Sequence, residues 1–139
     1  PVIEVRKPTR LQPGHIYMAQ GDKDIEIKTR GGKLMAVPVP VDPSLPWHPS
    51  VDRLMYSAMQ VLPAEQLIGV LLTGMGDDGA TAFKALYDKG GYTIAESEAS
   101  CVVYGMPRAL IELDGASEVA NAADIGQRLL YKAQLKQAG

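Results

Sequence analysis

Residues 67–96 constrain the fold more than any other stretch of the chain. Leu67 to Thr73 (LIGVLLT) is almost continuously apolar, the composition of a central strand covered on both faces. GMGDDG follows at once at 74–79, after which Ala82, Phe83, Leu86 and Tyr87 fall on one side of a helix. Gly90-Gly91 stops that helix, and Tyr92 to Glu96 (YTIAE) restores a strand. Strand, glycine turn, helix and strand make a βαβ unit, which requires parallel pairing and a right-handed crossover. Farther on, Pro107 opens a short helix through Leu113 that Gly115 closes. Asn121 caps a last helix, expected to turn Ile125, Leu129, Leu130 and Ala133 inward.

The region before this unit reads differently. His15 to Gln20 is a short alternating run, followed by a turn at Gly21-Asp22-Lys23-Asp24. Ile25 and Ile27 alternate with Glu26 and Lys28, the period-2 pattern of a half-exposed strand. Gly31-Gly32 is a hairpin signal, because both residues tolerate φ > 0, and Lys33 to Val39 supplies the returning strand. Pro38, Pro40, Pro43 and Pro46 make the next stretch a loop. Ser50 is a plausible N-cap for a helix carrying Val51, Leu54, Met55, Ala58, Met59 and Leu62 on one face, ended by Pro63. At this spacing Met55 and Met59 are expected to pack in a core rather than form a binding stripe. The expected organisation is one α/β domain over 1–139, with a hairpin and proline-rich loop at 1–49 and an α/β part at 50–139.

Size and charge narrow the function classes. At 139 residues the chain fits one domain but is short for a complete α/β enzyme, and 46% apolar residues argue for a packed core. A formal charge of −2 provides no general attraction to nucleic acid or to an anionic membrane. No apolar run approaches the roughly 20 residues that span a bilayer, and the N-terminus has no signal-peptide pattern. A cytoplasmic address is the simplest expectation. Cys101 is alone, which excludes an intrachain disulfide and leaves too few thiols for a zinc cluster. The chain opens at Pro1 rather than at a methionine, so a piece of a larger protein is expected.

Chemistry is to be sought at GMGDDG, because ligands and catalytic groups in open parallel sheets collect at the carboxyl ends of the strands. Gly74, Gly76 and Gly79 allow sharp turns and close approach, and Asp77 and Asp78 lie just before a helix, where the dipole favours a carboxylate. Three readings fit: an aspartate that caps the helix, a phosphate-binding loop, or a carboxylate that orients a catalytic histidine. The phosphate reading lacks a G-x-G-x-x-G pattern and a P-loop lysine, and two acidic groups would repel an anion. Pattern alone leaves the choice open.

LTGMGDDGA at 72–80, followed by EASCVVYGMPRALIE at 98–112, resembles the C-terminal catalytic domain of the chemotaxis protein-glutamate methylesterase (CheB) family. PGHIYMAQG at 13–21 and HPSVDRLMYSA at 48–58 fit the same family in order and spacing, so the resemblance spans nearly the whole chain. It implies a three-layer αβα sandwich with a mostly parallel sheet, here partial and preceded by the β-hairpin region. It implies hydrolysis of glutamate methyl esters on methylated chemoreceptors, and in some members deamidation of glutamines, by a Ser-His-Asp triad. No metal or organic cofactor is implied, and in the family a phosphorylatable receiver domain usually precedes the catalytic part. Carried over residue by residue, the triad aspartate is Asp78, the one immediately before Gly-Ala. Met75 and Gly76 match the loop lining the substrate cleft, the EASCVVYGMP segment matches a second cleft-side loop, and Asp77 receives no role.

The departures matter as much. None of Ser44, Ser50, Ser57, Ser97, Ser100 and Ser117 lies in a G-x-S-x-G-like elbow. His15 and His48 belong to the upstream motifs rather than to the family's histidine segment; His15 reads as a strand-end residue and His48 as a surface histidine beside the proline-rich loop. The chain is therefore expected to contribute Asp78 and part of a cleft to a larger esterase and to be inactive alone. The alternative is a non-catalytic receptor-binding or regulatory module that kept the fold. With part of the family sheet missing, self-association or partial disorder is expected.

Overall fold

The computed structural model describes residues 1–138, and the chain divides after Val61 into two compact units, Pro1–Val61 and the residues from Leu62 onward. In the first unit, β1 (Val2–Val5) runs parallel to β3 (Ile16–Ala19). β5 (Lys33–Val39) pairs antiparallel with both β2 (Thr9–Arg10) and β4 (Asp24–Arg30). The β4–β5 hairpin turns at Gly31 and Gly32, with φ of 58° and 77°, as the glycine pair requires. β1 and β2 are four and two residues long, too short to leave a periodic signature in the sequence.

α1 (Val51–Val61) packs on β4, and Val5, Ile25 and Ala36 form the buried core, with Leu11, Tyr17, Ala19, Ile27 and Leu54 against it. Ser50 caps the helix: its Oγ accepts the Arg53 N–H at 3.2 Å. Two turns on, Ser57 Oγ accepts the Ile27 N–H at 2.8 Å and donates to Leu54 O at 2.7 Å. A single hydroxyl thus serves a strand amide that faces the helix.

Asp24, expected in a turn, instead opens β4 with a fully buried side chain. Its carboxylate accepts the Ser50 N–H at 2.9 Å and Arg53 Nη1 at 2.7 Å, and His48 Nδ1 stands 3.4 Å away. Arg53 also donates to Glu26 and to Pro40 O. The proline-rich loop is therefore fastened at both ends to one buried carboxylate.

In the second unit β6 (Ile68–Leu71), β7 (Tyr92–Glu96) and β8 (Glu118–Ala120) form a parallel sheet in that order. α2 (Ala80–Asp88) and α3 (Met106–Glu112) are the crossovers, and they pack on each other and on β7. Because side chains alternate across a pleated sheet, Gly69, Leu71, Thr93 and Ala95 share one face. That face meets α2: a Cβ on Gly69 would stand 2.8 Å from the Phe83 ring. Tyr92, Ile94 and Glu96 share the opposite face, toward α4 (Ala122–Ala138), where Lys132 Nζ lies 4.3 Å from the Tyr92 ring centroid. Tyr92 also donates to Glu118, which is paired with Arg128. Helix, sheet and helix layers result, the αβα arrangement that the family resemblance implies.

The strand over 67–73 has the composition of a central strand and the position of an edge: among the described residues β6 pairs only with β7, with burial alternating along it. One expectation changes. In α4, Ile125 is buried and Leu129 half-buried, but Leu130 is 61% exposed and Ala133 is exposed. The reason for Leu130 is helical angle: it stands five residues, about 140°, round from Ile125, whereas Arg128 and Lys132 on either side of it reach Glu118 and Tyr92. Among the described residues no helix is long and apolar enough to cross a membrane.

Candidate active site

The loop 72–79 leaves the carboxyl end of β6 and delivers the chain into α2. Gly76 and Gly79 have φ of 91° and 93°, the left-handed backbone that a Cβ disfavours, so their positions explain the glycines. Asp77 O accepts the Ala80 N–H at 3.2 Å, which closes the last turn before the helix. This geometry separates the adjacent aspartates. Asp78 is buried, at 7% exposure, and Asp77 is exposed. Met75 projects outward at 69% exposure beside Gly76.

The segment 98–106 leaves the neighbouring strand β7 and folds onto the first loop. The Gly74 N–H donates to Val103 O at 3.0 Å, and Gly74 O accepts the N–H groups of Gly105 and Met106 at 3.1 and 2.9 Å. Gly74 and Tyr104 form a parallel bridge. The approach is close: a Cβ on Gly105 would stand 2.6 Å from Gly74 O and 3.0 Å from Gly76 N. Thr73 Oγ1 adds three bonds, donating to Val103 O and accepting the N–H groups of Val102 and Val103 at 3.1 and 2.9 Å. The two glycine-containing loops are one clasped structure.

Beneath the clasp lies Glu96, the last residue of β7, only 2% exposed. Its Oε1 accepts the Thr73 N–H at 2.8 Å and its Oε2 accepts the Ser100 hydroxyl at 2.8 Å. Ser100 Oγ in turn accepts the first N–H of α4, from Ala122, at 3.0 Å. Asn121, expected to cap α4, uses Oδ1 to accept the Ser97 hydroxyl, so the side-chain bond to the α4 amide comes from Ser100. Sequence reasoning missed Glu96, Thr73 and Ser100. A charged residue ending an otherwise apolar parallel strand was the available signal, since burial there demands partners.

Burial pushes the Cys101 thiol up, and the charge of Glu96 adds to the effect, so the sulfur is held protonated and is a poor nucleophile. His15 Nδ1 contacts Pro13 O at 2.9 Å and its ring stacks on Tyr17. His48 is half-buried beside Asp24 rather than a plain surface group. Among the described residues no cluster of His, Cys, Asp and Glu is arranged to hold a metal ion.

A three-layer α/β unit with clasped glycine loops and a buried aspartate, at the carboxyl edge of a parallel sheet, defines the class: an αβα domain with a glycine-loop cluster at the ends of its strands. Comparison with known proteins gives the particular family. The family described as CheB methylesterase matches residues 1–129. Protein-glutamate methylesterase/protein-glutamine glutaminase 3 of Rhodospirillum rubrum is 48% identical over 128 residues, covering 92% of this chain and 35% of that protein. The enzyme of the same name from Salmonella typhimurium is 42% identical over 138 residues, covering 99% of this chain and 39% of that protein. The crystal structure of the Thermotoga maritima CheB methylesterase catalytic domain superposes with a TM-score of 0.86 at 33% identity, covering 92% of this chain and 67% of that one. This chain belongs to the CheB methylesterase family. It spans between a third and two fifths of the length of these two curated relatives.

Proposed function

We propose that this chain forms the aspartate-bearing part of a protein-glutamate methylesterase that acts on methylated chemoreceptors in bacterial chemotaxis. The observation that carries this reading is the contrast between buried Asp78 and exposed Asp77 in the family's GMGDDG loop. A carboxylate that orients an imidazole works best out of water, held by a rigid backbone, and the clasp on Thr73 and Gly74 provides such a frame. Asp78 is the orienting member of a Ser-His-Asp triad, with Met75 and Gly76 lining the cleft.

The chemistry is acyl transfer. The serine hydroxyl attacks the methyl-ester carbonyl while the histidine takes its proton; methanol departs with that proton, leaving an acyl-enzyme. Water then adds by the same route and releases the glutamate carboxylate. Asp78 fixes the imidazole tautomer and stabilises its cation in both halves. Glutamine deamidation follows the same path with ammonia as the leaving group. The serine and histidine belong to the part of such an enzyme that this chain does not cover.

In the whole enzyme, Asp78→Asn is expected to lower turnover on the order of 10³- to 10⁴-fold. Asp77→Asn is expected to cost far less. Methanol release from methylated receptor, measured for both variants, is the test. Equal losses at the two positions would remove Asp78 from the role.

A further inference from the structure

We infer that Glu96 is a positioning residue for the proposed active site, setting the place of Asp78 by tying together three elements that meet there. This assignment rests on the methylesterase reading for its kinetic consequence, but its structural part stands apart from it. Glu96 is the most buried carboxylate in the second unit, and nothing in the triad chemistry uses it. A carboxylate is costly to bury, and a structural need alone would be met more cheaply by another apolar residue at the end of β7.

What Glu96 does with its two oxygens accounts for its presence. Oε1 takes the Thr73 N–H, the amide at which the chain leaves β6 for the aspartate loop. Oε2 takes the Ser100 hydroxyl, which leaves the Ser100 oxygen to accept the N–H of Ala122. The carboxylate is thus shared between the aspartate loop, the 98–106 loop and the start of α4. Asp78 lies five residues beyond Thr73, between this anchor and the first turn of α2. Removing the anchor leaves the upstream end of the loop held by the Thr73 Oγ1 and Gly74 bonds to the 98–106 loop, so it loosens there while α2 stays in place. Displacement of about 1 Å at a catalytic group costs up to about 100-fold in rate.

The test compares Glu96→Ala with Glu96→Gln in the whole enzyme, reading kinetics and amide hydrogen exchange together. Glutamine keeps an oxygen for the Thr73 N–H but cannot accept the Ser100 hydroxyl with its amide nitrogen. In E96A, exchange at Thr73 is expected to speed up roughly tenfold, and to rise at Val102 and Val103, with Ile94 unchanged. kcat is expected to fall on the order of 10- to 100-fold with KM nearly constant. E96Q is expected to restore Thr73 protection and most of kcat. Unchanged exchange at Thr73 in E96A, or E96Q as impaired as E96A, overturns the assignment. A wild-type enzyme without methylesterase turnover would refute the proposed function instead, and the exchange data would still decide whether Glu96 holds the loops. If E96A does not fold, Ser100→Ala, which removes one of the two bonds, takes its place. It should loosen Val102 and Val103, and unchanged exchange at both overturns the proposal.

Discussion

Burial alone would raise the carboxyl of Asp24, whose side chain has no exposed surface. The Ser50 N–H, the Arg53 guanidinium, His48 and the Asp42 N–H outweigh that cost and hold it below the ordinary 3.8. A carboxyl depressed on folding adds stability that is fully present above its unfolded value and is lost as pH falls through the folded one. Asp24→Asn is therefore expected to destabilise the chain at pH 7 on the order of 3 kcal/mol, the low end for breaking a buried pair, because Arg53 keeps a quarter of its side chain exposed. Below about pH 3.8 the gap should narrow, since wild type then loses the same contribution. Urea titrations of both proteins at pH 7 and pH 3 measure it. A gap of equal size at the two pH values would mean that the ionised form is not what matters.

At the scale of elements, the clasp between the 72–79 and 98–106 loops depends on which atoms an added methyl would meet. On Gly105 it would meet backbone, the carbonyl of Gly74, which cannot retreat without opening the pairing. On Gly74 it would meet Met106 Sδ at 2.6 Å, the far part of an adaptable side chain. Gly105→Ala is expected to cost about 1–3 kcal/mol, and Gly74→Ala less than half as much, by urea midpoint. A reversed order would place the tight contact elsewhere. Neither glycine contact was legible in the sequence, although the elements around it were. Apolar runs and glycine punctuation mark β6, α2, β7 and the β4–β5 hairpin because those signals are local. Glu96 and Asp24 were missed because a buried charge is recognised only by partners distant in sequence: Thr73 is 23 residues from Glu96, and Arg53 is 29 from Asp24. The same limit applies to β6, whose composition reports that its faces are apolar but not whether both its edges are paired.

For the molecule as a whole, that unpaired edge has a measurable effect. β6 pairs with β7 alone within its sheet, and Leu72 just beyond it is 49% exposed. An apolar edge strand with free backbone groups is a template for a second chain. Light scattering across a dilution series is expected to show the chain associating as concentration rises, and Leu72→Lys should weaken the effect, because an edge lysine opposes pairing. A compact monomer whose mass is independent of concentration would show that the edge is inert. The clasp carries another consequence, for anyone who would alter the site. Loops on separate crossovers are usually treated as interchangeable parts, each free to vary in length and composition on a fixed scaffold. Here Gly74, Thr73 and Glu96 lend their polar groups to the other loop, so a graft of either segment alone would import orphaned amides. The unit of transplantation is the pair, residues 72–79 together with 96–106.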